Sequence, residues 1–156
     1  TSPTMADYDL FYMGGIAGKV NGAFTLRNCV NRGNLTAAVE RDIAGIAVSG
    51  GYDAVFENCE NYGNITVAPN HKPNEGDRWR PCVAGIVAIE NDVATTITNC
   101  TSDCVIDATV YRATSIDKVY VFQKTWENGT EDTKTVCDEA SKSNSAGTTI
   151  NITTRE

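Results

Sequence analysis

The chain has 156 residues and a net charge of −7, and it combines only three leucines with 14 Val, 11 Ile, 19 Thr and 14 Asn. Val, Ile and Thr favour strands whereas Leu favours helices, so this composition excludes a helical bundle. The acidic charge disfavours nucleic acid as a partner, and no apolar run approaches the roughly 20 residues that span a bilayer. The sequence therefore predicts one all-β domain with no membrane insertion by this segment.

An internal repeat runs through residues 1–110. Each copy joins a Gly-Ile pair to a later Asn-Cys pair, and the three copies occupy residues 14–39, 43–69 and 83–110. The spacing between Asn-Cys pairs is 30 residues from the first copy to the second and 41 from the second to the third. A turn-rich loop inserted at residues 69–82 explains the longer interval.

Each copy contains three short segments of alternating apolar residues, separated by Gly or Asn. Three strands per turn, with each copy stacked on the next, predict a β-solenoid whose coils pair in parallel about 4.8 Å apart. Glycines are expected at tight corners that need a positive φ. Equivalent residues would form inward-facing columns: Ile16, Ile46 and Ile86; Leu35, Ile65 and Ile106; and, near one level, Phe24 and Phe56. The alternative is a duplicated hairpin in a β-sandwich.

The repeated asparagines predict polar columns. Side-chain amides that stack at the same position of successive coils can bond to one another. We therefore expect one amide ladder at Asn28, Asn58 and Asn99, and a second ladder at Asn31 and Asn61.

The repeated cysteines predict a column of thiols. Its members are Cys29, Cys59 and Cys100. Stacked residues with parallel Cβ vectors suit a disulfide poorly, so we expect buried free thiols. A metal site is not expected, because single cysteines on successive coils do not form a tetrahedral set of ligands. One disulfide could form within the remaining cysteines, which are Cys82, Cys104 and Cys137.

The repeat breaks after Val110. Strands are predicted at residues 119–123, 133–136 and 148–153, with a turn at residues 127–130. The end of a solenoid exposes unpaired backbone, so residues 111–156 are predicted to form a C-terminal β cap or to begin a following domain.

The repeat resembles the GLUG-motif repeats of large bacterial surface proteins, including adhesin-like proteins of gut Bacteroidetes. The first copy matches best, through Gly15-Ile16-Ala17-Gly18, Asn28-Cys29 and Gly33-Asn34, whereas later copies lose the second Gly of the corner. The resemblance covers about residues 14–110. It implies a right-handed parallel β-helix of about three coils and an extracellular, cell-surface location, and it carries no catalytic residue.

Motifs for catalysis are absent from the sequence. No Ser-His-Asp, His-Glu-x-x-His or Cys-x-x-Cys arrangement occurs, and residues 14–18 lack the Lys-Ser/Thr ending of a phosphate-binding loop. A glycosidase needs two carboxylates about 5–10 Å apart. The candidates form no motif and are interpreted as a solvated acidic face: Asp42, Asp53, Glu57, Glu60, Glu90 and Asp92. The prediction is therefore no enzyme, no metal and no cofactor, since residues 90–92 are an incomplete set for calcium.

The inserted loop offers the candidate ligand-binding residues, which are His71, Arg78, Trp79 and Arg80. A Trp between two Arg can stack on a sugar or a peptide, so a glycan or a host surface protein is the predicted partner. Alternatively, Trp79 packs on the coil as a lid under the arginine side chains.

These patterns together predict a non-enzymatic, adhesin-like binding or spacer module of a secreted bacterial protein. Two alternatives remain. One is a carbohydrate-active β-helix module of the polysaccharide lyase or glycosidase type, and the other is a purely structural stalk.

Overall fold

The computed structural model describes residues 12–38, 41–70, 82–90, 92–111, 115–122 and 132–155, which form four stacked coils. The first coil contains β1 (Tyr12–Gly14), β2 (Ala17–Val20), β3 (Phe24–Arg27), β4 (Val30–Asn31) and β5 (Leu35–Ala37). The second contains β6 (Asp42–Ala44), β7 (Ala47–Ser49), β8 (Ala54–Glu57), β9 (Glu60–Asn61) and β10 (Ile65–Val67). The third contains β11 (Cys82–Ala84), β12 (Val87–Ile89), β13 (Thr95–Thr98), β14 (Thr101–Ser102) and β15 (Val105–Val110). The fourth contains β16 (Ser115–Asp117), β17 (Tyr120–Phe122), β18 (Thr135–Cys137), α1 (Glu139–Asn144) and β19 (Thr149–Thr154).

Strands at the same place in successive coils pair in parallel. They form five sheets, ordered β1-β6-β11-β16, β2-β7-β12-β17, β3-β8-β13-β18, β4-β9-β14 and β5-β10-β15-β19. This arrangement confirms the parallel β-helix. Each of the first three coils has five short strands instead of the three predicted, because the Gly-Ile and Asn-Cys pairs are corners that interrupt the longer apolar segments.

The residues after Val110 complete a fourth coil, although the sequence pattern of the repeat is lost there. The three described strands β17, β18 and β19 overlap the predicted segments, whereas the turn at residues 127–130 lies outside the described residues. At the place of the two-residue strand of earlier coils, the chain forms α1. Asp138 caps this helix by accepting a hydrogen bond from the Ser141 amide (2.8 Å).

Side chains in and next to α1 accept hydrogen bonds from backbone amides at the edge of the third coil. The Cys100 amide donates to Ser141 Oγ and the Ser102 amide donates to Ser145 Oγ, both at 2.9 Å. The Asn99 amide donates to the capping carboxylate of Asp138 at 3.0 Å. The helix therefore terminates β14 in place of a further paired strand, which addresses the problem of an unpaired sheet edge.

The predicted apolar columns are partly confirmed. Leu35, Ile65, Ile106 and also Ile150 lie in one register. Ile46 and Ile86 are fully buried, but Ile16 is 44% exposed because it belongs to the first coil and only one described neighbour coil covers it.

The two phenylalanines do not occupy one column. Phe24 is in register with Ala54, and Phe56 with Leu26 and Ile97, so the two rings lie two residues out of phase. They still pack edge to face, with ring centroids 5.5 Å apart.

The buried apolar residues near the Gly-Ile corner belong to three separate clusters. Ile43 and Ala47 contribute to two separate apolar clusters, whereas Ala44 and Val48 belong to a third. Because successive residues of a strand point to opposite faces, this third cluster lies between the outer faces of the strands that flank the corner. Its members are Ala44, Val48, Cys82, Ala84, Ala88 and Val121.

Candidate functional site

The first polar feature is an amide ladder along one corner of the coils. Asn58 Nδ2 donates to Asn28 Oδ1 at 3.3 Å, and Asn99 Nδ2 donates to Asn58 Oδ1 at 2.8 Å. Asn144, the last residue of α1, adds a fourth rung by donating to Asn99 Oδ1 at 3.3 Å. The three repeat asparagines have φ of 54°, 51° and 49°, a left-handed conformation that Asn tolerates better than most residues. The corner therefore needs Asn for its backbone as well as for the ladder.

A second amide ladder lies inside the coils. Asn31 Nδ2 donates to Asn61 Oδ1 at 2.8 Å, and Asn61 Nδ2 donates to the Gly63 carbonyl and to Cys104 Sγ. Asn61 has no exposed surface. In the third coil Ser102 takes this position, where Thr148 Oγ1 donates to its hydroxyl at 2.9 Å. A buried polar column of this kind is favourable only because its members bond to one another or to the backbone.

The thiol column is also present. Cys29, Cys59 and Cys100 each donate to the carbonyl oxygen two residues earlier in the chain, at 3.5 Å. All six cysteines are free, so the optional disulfide among Cys82, Cys104 and Cys137 does not form. Among the described residues there is no group of three His, Cys, Asp or Glu side chains that could hold a metal ion.

Thiol titration tests this cysteine assignment. We expect six reactive thiols in denaturant and, in the native protein, the fastest reaction at Cys29 and Cys137, because the other four are buried. Reaction should be slow even there, since burial raises the pKa of Cys29 and raises that of Cys137 to about 11, which keeps the thiolate scarce at neutral pH. A count of four that rises to six after reduction would contradict the assignment.

Two of the six candidate carboxylates meet in a buried polar cluster. Asp42 and Glu90 are each 7% exposed. Tyr12, which packs against the third apolar cluster, is in register with Asp42 and bonds to Glu90, and Lys19 pairs with Glu90. We refer to Tyr12, Lys19, Asp42 and Glu90 as the carboxyl cluster. The interpretation of these two acids as part of a solvated face is therefore wrong.

Glu90 is the centre of the carboxyl cluster. Tyr12 Oη donates to Glu90 Oε1 at 2.8 Å, and Lys19 forms an ion pair with Glu90 Oε2. Lys19 Nζ also donates to Tyr12 Oη at 3.3 Å and lies 4.4 Å from the centroid of that ring. Burial is the largest single influence and lowers the pKa of Lys19, but the hydrogen bonds and charges of Glu90 and Tyr12 together outweigh it. The net shift is therefore upward, and Lys19 stays charged.

Asp42, in the second coil, is in register with Tyr12 of the first. Its carboxylate accepts a hydrogen bond from the Cys82 amide at 3.3 Å. Burial first, and the charge of Glu90 second, raise the pKa of Asp42 to about 7. Two adjacent carboxyls with one proton are a pattern that also occurs in acid–base catalysis. Here, however, both groups are more than nine-tenths buried.

The remaining candidates are dispersed. Glu57 pairs with Arg27 at 2.6 Å and Asp92 pairs with Lys134 at 3.1 Å, each as a link between neighbouring coils. Asp53 is exposed and Glu60 is partly exposed. The four predicted ligand-binding residues, His71, Arg78, Trp79 and Arg80, lie outside the described residues.

Sequence reasoning did not find Tyr12 or Lys19. Tyr12 lies 78 residues from Glu90 in the chain, and no spacing or motif links them. The only available signal was the strand alternation, which places Tyr12 and Asp42 at the same position of successive coils.

Three structural facts bear on function. The polar side chains join coils, and the buried acids Asp42 and Glu90 each bond to other groups of the chain. No helix within the described ranges is long and apolar enough to cross a membrane. No family model, no curated protein and no solved structure matches this chain.

Proposed function

We propose that this chain is a non-enzymatic, adhesin-like binding or spacer module of a secreted bacterial surface protein. One observation carries the proposal: polar side chains are used to hold successive coils together. The asparagine ladders, the Arg27–Glu57 pair and the Asn151–Asp107 bond at 2.7 Å all connect neighbouring coils. A stack joined in this way is suited to keep its length and shape while it presents a loop or a neighbouring domain.

The thiols are compatible with an extracellular location. Four of the six cysteines are buried, and burial raises the pKa of Cys82. A buried thiol with a raised pKa oxidises slowly, because the reactive species is the thiolate. For Cys82 the lack of a disulfide therefore does not oppose secretion. The hydrogen bond with Cys100 instead lowers the pKa of Cys59 to about 6, so burial alone shields that thiol. The resemblance to bacterial surface repeats supports an extracellular location.

The inserted loop is the proposed ligand-binding surface, with His71, Arg78, Trp79 and Arg80 as its contacts. The test is an array of glycans and host surface proteins, probed with the whole chain. We expect binding that Trp79→Ala weakens by at least about tenfold, because loss of one aromatic stack costs on the order of 1–3 kcal/mol at a binding site. Trp126→Ala, at the second Trp of the chain, is the matched control.

The carbohydrate-active alternative has one observation in its favour, which is the meeting of Asp42 and Glu90 in the carboxyl cluster. Their burial opposes it, because a polysaccharide needs an open cleft with both acids accessible. A depolymerisation assay on the glycans that bind separates the two functions. Product release that Glu90→Gln abolishes would replace the proposed function, and binding without product supports it. If neither ligand binding nor product is found, the structural stalk is favoured.

A further inference from the structure

The carboxyl cluster connects the first coil to the third across the second. Tyr12 and Lys19 belong to the first coil and Glu90 follows β12 of the third. The intervening position is Gly50, where an added Cβ would lie 2.3 Å from Lys19 Cε and 3.1 Å from Glu90 Oε2. The same Cβ would lie 2.8 Å from Asn21 Oδ1, so a side chain at Gly50 would crowd side chains of both the first and the third coil.

The carboxyl cluster contains two acids, Asp42 and Glu90, and one base, Lys19. The charge of the neighbouring Arg41 lowers the pKa of Asp42, but by less than burial and Glu90 raise it. The groups that face Asp42 are Tyr12 from β1, Lys19 from β2, the amide and thiol of Cys82 from β11, Glu90 beyond β12, and its neighbour Arg41. Lys19 is already paired with Glu90. A second ionised carboxylate at Asp42 would be buried beside a like charge, which is unfavourable in a site of low polarity.

We propose that the carboxyl cluster is a proton-linked fastening between the first and third coils, which holds while Asp42 carries a proton and loosens when Asp42 ionises. When Asp42 ionises, the first coil separates more readily from the second. Within the described part of the chain its strands pair on one side only, with the second coil, so it can separate without disturbing the coils beyond.

The direction of the pH dependence follows from the environment of Asp42. Burial and then Glu90 raise its pKa from 3.8 to about 7 in the folded chain. The folded state thus binds the proton more tightly than the opened state does. The stabilisation is fully present below about pH 4 and is lost progressively as the pH rises through about 7.

Hydrogen exchange in the first coil provides the test. The amides of Gly15, Ile16 and Ala17 donate to carbonyls of the second coil, so their protection reports separation of the two coils. We expect their protection factors, corrected for intrinsic exchange, to fall by about fiftyfold from pH 5 to pH 7. Asp42→Asn keeps the shape of the side chain and an oxygen for the Cys82 amide, and it should flatten this dependence.

Two further variants distinguish the fastening from a general pH effect. Asp53→Asn removes an exposed carboxylate from the same coil and should keep the wild-type profile. Gly50→Ala changes no titratable group, but it should lower first-coil protection at pH 5, because its Cβ would crowd Lys19 and Asn21 of the first coil. The pH dependence itself should be kept.

The titration of Asp42 can also be observed directly. In the wild-type chain, the NMR signal of the Asp42 carboxyl carbon should titrate near pH 7, and this result does not depend on the folding of any variant. A midpoint near pH 4 would overturn the proposal, as would identical exchange profiles for the wild type and Asp42→Asn.

Discussion

Gly45→Ala is expected to cause a large loss of stability, although it adds only one methyl group. A Cβ at this position would lie 2.0 Å from the Gly85 carbonyl oxygen and 2.3 Å from Asn61 Cγ. Neither atom can move freely, because Gly85 is backbone at the same corner of the next coil and Asn61 is held in the interior ladder. We expect the free energy of unfolding to fall by more than about 3 kcal/mol, measured by urea denaturation.

Gly18→Ala is the matched control for this substitution. Gly18 lies near the same corner of the first coil, and its added Cβ would meet only the Tyr12 carbonyl oxygen, at 3.4 Å. We expect a change within about 0.5 kcal/mol. Equal losses in the two variants would show that the tight contact at Gly45 is not the cause.

Asn61→Ala is expected to cost about 3 kcal/mol, because the partners of the missing amide stay buried. The Asn31 amide loses one of its two acceptors and keeps the Gly33 carbonyl. The Gly63 amide and carbonyl lose the side chain that bonds to both. Asn61→Ser should cost less, since Ser102 occupies the equivalent position of the third coil. The measurement is the midpoint of urea denaturation, compared between variants whose unfolding free energy has the same slope against urea concentration.

Asn58→Gly provides the comparison with the outer ladder. It removes hydrogen bonds to Asn28 and Asn99 but retains a residue that accepts the φ of 51°. Because these amides are at the surface, water replaces the lost partners, and the expected cost is about 1 kcal/mol or less. An equal loss of stability in Asn58→Gly and Asn61→Ala would contradict the claim that burial makes the interior hydrogen bonds more costly to lose.

Particular residues show how far the sequence predicts the fold. The recurrence of Asn-Cys predicts the outer ladder, which is confirmed. It also predicts a column of buried free thiols, and all three are free, but Cys29 is only partly buried. The fourth rung at Asn144 was not predicted, because it comes from a helix that carries no copy of the motif. A repeat shows which residues are equivalent, but it gives no sign of an unrelated segment that stacks on the last copy.

The role of the corner glycines needed the structure. The sequence suggested that they provide a positive φ, but among the described glycines only Gly22 has one, at 88°. Gly15, Gly45 and Gly85 are instead required because the next coil and an inward-pointing polar side chain approach their Cα atoms closely. A position can require glycine because its φ is positive or because neighbouring atoms leave no room for a Cβ. Only the structure shows which of the two reasons applies.

The sequence by itself determined the class, the period and the columns of this protein, because in-register stacking repeats the same residue types at a fixed spacing. The tertiary structure decided what happens where the repeat is broken. Tyr12, Lys19, Asp42 and Glu90 hold different residue types in different coils, so no pattern connects them. Lys19 and Glu90 meet beside Gly50 of the second coil, a position that has no side chain between them.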